Sequence, residues 1–235
     1  VRDAVAREGP LMERVTALEL MDDPAVDPAE LARNFDDIER ANRWFGGRAP
    51  VLREVFASAS ESLLDVGCGS GDIARALRAE ARRRGRRLDV VGLDRSEAVL
   101  AIARARSQGD ASLRFMNGDG TALPFPDRSF DIVTCNLALH HFEPDEAVAV
   151  LREMRRVART APLVCDLLRS KLAHAAARLY VSLLATSPLT RNDAPLSVRR
   201  AYTPVEAEDL ARRAGWRAPV AKPLPFFRLM LSDGA

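Results

Sequence analysis

Residues 63–77, LLDVGCGSGDIARAL, join an apolar run to a helix-like run through three alternate glycines, Gly67, Gly69 and Gly71. Glycines let the chain turn sharply and let a ligand approach the backbone without meeting a Cβ. A strand-to-helix loop of this kind, at the carboxyl edge of a parallel sheet, is where doubly wound proteins bind nucleotides. The dinucleotide fingerprint G-x-G-x-x-G would put its third glycine at position 72, where this chain has Asp72. A carboxylate at the helix N-terminus also opposes a pyrophosphate, whereas an uncharged or cationic ligand tolerates it. The glycine register speaks against a nicotinamide dehydrogenase.

Around this loop, SLLDVG, LDVVGLD, LRFMNGD, FDIVTCNLAL and PLVCDLL are strand-like runs, and IARALRAEARRR, SEAVLAIARAR and PDEAVAVLREMRRVAR are helical ones. Short apolar strands separated by helices imply right-handed crossovers and a mostly parallel sheet covered on both faces, a doubly wound α/β fold. Upstream, VDPAELARNFDDIERANRWFGG predicts an amphipathic helix capped by Asp27, begun by Pro28 and stopped by Gly46 and Gly47. The following APVLREVFASA reads as a second helix. Residues 1–48 form an N-terminal helical lid on this reading, and 49–235 the main domain. Its segment at about 170–202 breaks the alternation with a helical stripe, Leu172, Ala176, Leu179, Leu183 and Leu184, and then a turn-rich piece, TSPLTRNDAPLS. The stripe reads equally well as part of a substrate-binding insertion or as core. TPVEAEDLARRAG predicts a helix capped by Thr203 with Glu206 three residues on, and FFRLML a final strand.

The 235 residues, 47% hydrophobic, suffice for one α/β domain with a small appendage. A net charge of +2 sets up no global attraction to nucleic acid or an anionic membrane. The arginine-rich RAEARRRGRR trails away from the carboxyl edge of the sheet and reads as a solvated face. Three separated cysteines, Cys68, Cys135 and Cys165, suit a reducing cytoplasm, and no run approaches the roughly 20 apolar residues of a membrane span.

The loop Gly67-Cys68-Gly69-Ser70-Gly71, preceded by Asp65, resembles the first motif of class I S-adenosylmethionine-dependent methyltransferases, and the rest of the family's pattern follows in order over roughly residues 50 to 235. The resemblance implies a seven-stranded Rossmann-like sheet and S-adenosylmethionine as cofactor, with S-adenosylhomocysteine as product. It makes Asp65, Gly67, Cys68, Gly69 and Gly71 the cofactor loop. Asp94, at the end of the second strand with Arg95 beside it, would meet the ribose hydroxyls. Asp119 would accept from the adenine amino group, Gly120 and Thr121 would wall the ring, and Asn136 and Leu137 would stand beside the methionine end.

Methyl transfer from a sulfonium is an in-line displacement, so the protein must align the acceptor and exclude water. Asn136 is followed by Leu-Ala-Leu rather than by the Pro-Pro-aromatic of DNA amino-methyltransferases. Thr134 before Cys135 excludes a cytosine-carbon enzyme, and the lone Glu143 a protein-arginine enzyme. The carboxylate pattern of metal-dependent catechol enzymes is also missing, so no metal is expected. A small organic acceptor remains. LALHHFEPDEAVAVLREMRRVAR resembles enzymes that methylate quinone precursors and aromatic or polyketide metabolites. The segments at 19–47 and 191–204 resemble more narrowly a bacterial group associated with type III polyketide synthases. That likeness implies secondary metabolism and O-methylation of a phenol, with C-methylation of a quinone precursor next. A non-catalytic cofactor-binding protein is the rival that would keep the loop. His140 is the candidate base because a neutral imidazole titrates where a phenol needs proton removal. Phe35, Trp44, Phe45, His141, Tyr180, Arg191 and Asn192 are the candidate substrate contacts, with Asp193 beside them and Arg191 placed to hold an acidic group. The chain would act as a monomer or homodimer.

Overall fold

The structure, a computed structural model, describes residues 12–160 and 162–234. Seven strands form one sheet in the order β3-β2-β1-β4-β5-β7-β6. They are β1 (Ser62–Val66), β2 (Asp89–Asp94), β3 (Leu113–Asn117), β4 (Ile132–Asn136), β5 (Leu163–Leu167), β6 (Pro219–Leu224) and β7 (Arg228–Asp233). The pairs β1–β2, β2–β3, β1–β4 and β4–β5 are parallel, while β7 runs antiparallel to both β5 and β6. The chain order reverses between β1 and β4, which places the crevice used by doubly wound proteins at the glycine loop.

The strands form where short β-branched and leucine-rich runs can be buried on both faces, as in LLDV and IVTC. On one face α5 (Pro144–Val157) and α8 (Pro204–Arg213) seal a core that includes Leu64, Val133, Leu151 and Leu210. On the other, α2 (Ala49–Ala57) and α3 (Asp72–Arg83) cover Leu63, Val90 and Ile132. The cap of α8 forms as its spelling predicts, since the Glu206 carboxylate accepts from the Thr203 N–H at 2.8 Å and the Thr203 hydroxyl accepts from the Glu206 N–H at 3.4 Å.

The first long helix, α1 (Pro28–Trp44), is capped by Asp27, whose carboxylate accepts from the Ala29 and Glu30 N–H groups. Leu31 and Phe35 pack on Val99 of α4 (Glu97–Arg106). Ahead of it, the segment from Met12 to Val26 is strapped over the sheet's carboxyl edge: Arg14 donates to the carbonyls of Phe142 and Arg200, and Arg200 donates to the carbonyl of Ala17. The first eleven residues of the expected lid lie outside the described residues.

Two expectations are corrected, and one open alternative, that of the leucine stripe, is narrowed. The turn-rich reading of TSPLTRNDAPLS is wrong, because Pro188–Arg200 is a helix, α7, with Ser187 as its cap, Pro188 in its first turn and Pro195 inside it. Burial of Thr190, Asp193, Val198 and Arg200 against the N-terminal strap and α1 overrides the proline. The leucine stripe of α6 (Lys171–Leu183) is not core: Leu172, Leu179 and Leu183 are 67%, 60% and 70% exposed. The last strand begins at Arg228, since Phe226 and Phe227 take positive φ in the β6–β7 turn. Among the described residues, no helix is long and apolar enough to cross a membrane.

Candidate active site

The glycine loop rises from β1 under the end of β2. The carboxylate of Asp94 accepts from the Gly69 N–H and the Ser96 N–H, both at 3.0 Å, and so ties the loop to the neighbouring strand. The neighbours that exclude side chains here belong to the protein itself. A Cβ on Gly67 would stand 2.5 Å from the Ala138 methyl, and one on Gly71 would stand 2.6 Å from the Phe115 ring, with φ near +70° at both. The loop is thereby pressed flat, and the face it turns to the cavity lies beside the Phe35 ring, 3.2 Å from a Cβ placed on Gly69.

That face forms one end of a cavity of about 1050 Å³. Gly67, Cys68, Gly69, Asp94, Arg95, Asp119, Gly120, Thr121, Asn136 and Leu137 line it, as do Phe35, Phe45, His140, His141, Tyr180 and Asp193. Asp65, Gly71, Trp44, Arg191 and Asn192, also expected at the site, do not. Asp65 is buried behind the loop, where it accepts from the Thr134 hydroxyl at 2.9 Å and the Asn136 amide at 2.8 Å. Gly71 serves the turn into α3. Trp44 is exposed on the outer side of α1. Arg191 donates to the Ala185 carbonyl and Asn192 to the Asp193 carboxylate, so the proposed grip of Arg191 on an acidic substrate has no geometric basis.

At the cofactor-like end, burial raises the pKa of Asp94 above the ordinary carboxylate value, against the pull of its two N–H donors. The Asp119 carboxyl is held low by the Thr121 N–H. Asn136 donates its amide to Asp65, while its Oδ1 is buried with no partner among the described residues. An unpaired buried acceptor on a cavity wall is a place for a ligand donor.

The other end is built by His140, His141 and three acids. His140 is 3% exposed; its Nδ1 lies 2.6 Å from Asp166 Oδ1, and its backbone N–H donates to Asp166 Oδ2 at 3.0 Å. Asp166 is buried, and although burial alone would raise its carboxyl, the His140 ring beside it holds the pKa low. His141 stacks on His140 with ring centres 4.4 Å apart, and its Nδ1 lies 3.3 Å from Asp22 Oδ2. Burial opposes a charged His141 ring, but Glu19 and Asp22 outweigh it and raise the pKa. Glu19 is itself buried and accepts from the Ser197 hydroxyl at 2.8 Å. Asp193 fixes this strap by accepting from the Leu20 and Met21 N–H groups at 2.8 and 3.0 Å. Glu19, Asp22 and Asp166 went unassigned in the sequence; only their approach in space to the HH pair marks them out.

Leu137 takes a φ of +53° on the cavity wall, and Phe226 and Phe227 take +60° and +56° in a turn at the cavity mouth. Non-glycine residues in this region are strained, and such strain gathers where a site needs one shape. Phe226 meets Phe45 edge-on at 6.0 Å, and Phe45 meets Tyr180 at 5.7 Å.

Residues 63–161 match the model of a family described as a methyltransferase domain. Among similar proteins, the uncharacterized methyltransferase YcgJ of Bacillus subtilis (strain 168) is 34% identical over 109 residues, 46% of this chain and 40% of that protein. Demethylmenaquinone methyltransferase of Staphylococcus aureus (strain JH9) is 33% identical over 131 residues, 56% of this chain and 51% of that one. The chain thus spans about half the length of the curated relatives it matches. A crystal structure of a SAM-dependent methyltransferase from Aquifex aeolicus superposes with a TM-score of 0.63 and 20% identity, over 88% of this chain and 97% of that one. The segment 63–161 is thus similar to a methyltransferase-domain family, and the chain has the Rossmann-like fold seen in S-adenosylmethionine-dependent methyltransferase structures.

Proposed function

We propose that the chain binds S-adenosylmethionine along the glycine loop and transfers its methyl group to the hydroxyl of a small phenolic or polyketide-derived acceptor, releasing S-adenosylhomocysteine. The observation that carries this reading is the single cavity that joins Asp94 and the Gly67–Gly69 loop to the His140–His141 pair. The residues present fit the cofactor. Asp94 retains lone pairs for two vicinal ribose hydroxyls, Asp119 lies on the wall for the adenine amino group, and Asn136 Oδ1 is an acceptor in want of a donor. When bound, the cofactor supplies an electrophilic methyl group on a sulfonium.

The chain's own part is to hold the acceptor in line, exclude water and deal with the hydroxyl proton. Phe45, Tyr180 and the leucines of α6 give the acceptor end an apolar wall, with Phe35 beside Gly69, and His140 and His141 are the imidazoles on it, next to the acids Glu19 and Asp22. His140 is the candidate to take the proton through Nε2, with Asp166 fixing the ring. The likeness to demethylmenaquinone methyltransferase supports a second reading, methylation at a ring carbon of a quinone precursor.

Calorimetric titration with S-adenosylmethionine, S-adenosylhomocysteine and NAD tests the donor, and mass spectrometry of a panel of phenols tests the acceptor. The two sulfur nucleosides should bind and NAD should not. Asp94→Ala should weaken both by more than about 1 kcal/mol, since it strands the ribose hydroxyls. Unchanged affinity in the folded variant removes the ribose assignment, and binding of NAD alone overturns the reading.

A further inference from the structure

Glu19, His140 and His141 bring one carboxylate and two imidazoles to the acceptor end of the cavity, with their ligand atoms all within 4.8 Å of one another. The facing is atom by atom. Glu19 Oε1 stands 3.8 Å from His140 Nε2, and Glu19 Oε2 stands 3.8 Å from His141 Nε2. That separation is too long for a hydrogen bond, and neither Nε2 has a hydrogen-bond partner among the described residues. Each ring's other nitrogen is already held, His140 Nδ1 by Asp166 and His141 Nδ1 by Asp22. Two imidazoles thus turn their free nitrogens toward the two oxygens of one buried carboxylate.

An outer carboxylate on Nδ1 with Nε2 left free is the arrangement that surrounds histidines bound to metals, where it fixes the tautomer and raises the basicity of the ligand nitrogen. Two imidazoles and a carboxylate suit zinc and its divalent neighbours, and three protein ligands leave a fourth position open. The local charge agrees. Glu19, Asp22 and Asp166 surround the pair, and the buried cation beside it, Arg200, turns its guanidinium to the carbonyls of Ala17, His140 and His141. Arg95 reaches only the outer side, 3.9 Å from Asp22, and is largely exposed.

We propose that Glu19, His140 and His141 form a divalent transition-metal site, zinc-like in its donors, whose open position faces the acceptor. The sequence pointed away from a metal because the carboxylates it was searched for lie at strand ends. Here the decisive ligand arrives from the N-terminal strap. The site stands apart from any reaction; its use rests on the function proposed above. There, a cation would hold the acceptor oxygen as its anion, the hydroxyl proton passing to solvent. The oxygen lone pair then forms the new C–O bond as the S–C bond breaks, and the metal changes no oxidation state. His140 is then a ligand, in place of the proton acceptor.

The test uses the untagged full chain, stripped with a chelator and titrated with Co²⁺ and then Zn²⁺, without donor or acceptor. One cobalt per chain should bind with the intense ligand-field absorption of a four-coordinate nitrogen and oxygen site, and zinc should displace it. Glu19→Gln and His141→Ala should bind cobalt at least ~10-fold more weakly, and Asp166→Asn about 10- to 100-fold more weakly. Retained S-adenosylmethionine binding shows that each variant is folded; if none folds, the wild-type spectrum decides. Cobalt that keeps the spectrum of its aqua ion, or that binds folded variants as tightly as the wild type, overturns the site. Turnover that survives chelation but is lost in His140→Ala overturns the metal's role and returns the imidazole to the part of base. Because the spectrum needs no turnover, it stands or falls separately from the methyl-transfer reading.

Discussion

Asp65 illustrates how a residue can be legible in kind and misread in role. Its place before the glycines marked it for the cofactor, yet it lies behind the loop and binds β4 through Thr134 and Asn136. Burial pushes its carboxyl up to about 7, with the charges of Asp72 and Asp94 adding to the shift and the two donors opposing it. The folded value lies above the ordinary 3.8, so this group's contribution to stability is complete below that value and fades as pH rises through about 7. Asp65→Asn, which mimics the protonated form, should therefore gain on the wild type between about pH 4 and pH 7, and the gap should level off above that, in paired thermal melts. A constant gap across that range contradicts the assignment. The placing of Asp94 on the cavity wall was readable because it follows from a local spacing on adjacent strands. Glu19 was not, since no spacing links it to the histidines.

The helices α1, α6 and α7 form a second layer whose joints are polar and distant in sequence. Asp37, fully buried on α1, accepts from the Thr186 and Ser187 N–H groups at 2.7 and 2.9 Å and from the Thr186 hydroxyl at 2.9 Å. On the opposite side of the same helix, Glu39 holds Arg75 of α3 and Arg106 of α4. Asp37→Ala leaves the buried Ser187 N–H and the more accessible Thr186 N–H unpaired and should cost about 2 kcal/mol in denaturant unfolding. It should raise the KM for the acceptor more than it weakens the donor, because the lost joint is on the acceptor side. Equal effects on both would mean that α1 serves the whole cavity. Helix α1 was legible from its cap and stop. Helix α7 was not, since Pro188, Asn192 and Pro195 spell a turn until burial is known. Strand β6 escaped notice for a similar reason, as Pro219 and Pro223 are tolerated only because it lies at the sheet edge.

At the scale of the whole molecule, the doubly wound sheet could be read from its alternation, whereas the fate of the α6 leucines could not. An amphipathic stripe has the same spelling whether it faces a core or a cavity mouth. Leu179 and Leu183 line that mouth and remain mostly exposed. Leu183→Ser should alter folding stability by no more than about 0.5 kcal/mol, as for other surface substitutions. Donor affinity should stay fixed while the KM for an apolar acceptor rises; an unchanged KM would leave the stripe without a part in binding. The N-terminal strap has a wider consequence. The matched segment, 63–161, contains the glycine loop, Asp94, Asp119 and both histidines, but neither Glu19 nor α1, α6 or α7. The cavity is therefore assembled from two parts, one inside the matched segment and one outside it, and the second can change what the cavity admits while the first keeps its glycine loop. Grafting the strap and the α6–α7 pair onto a related domain should carry acceptor preference with them, as interchangeable jaws on a common handle.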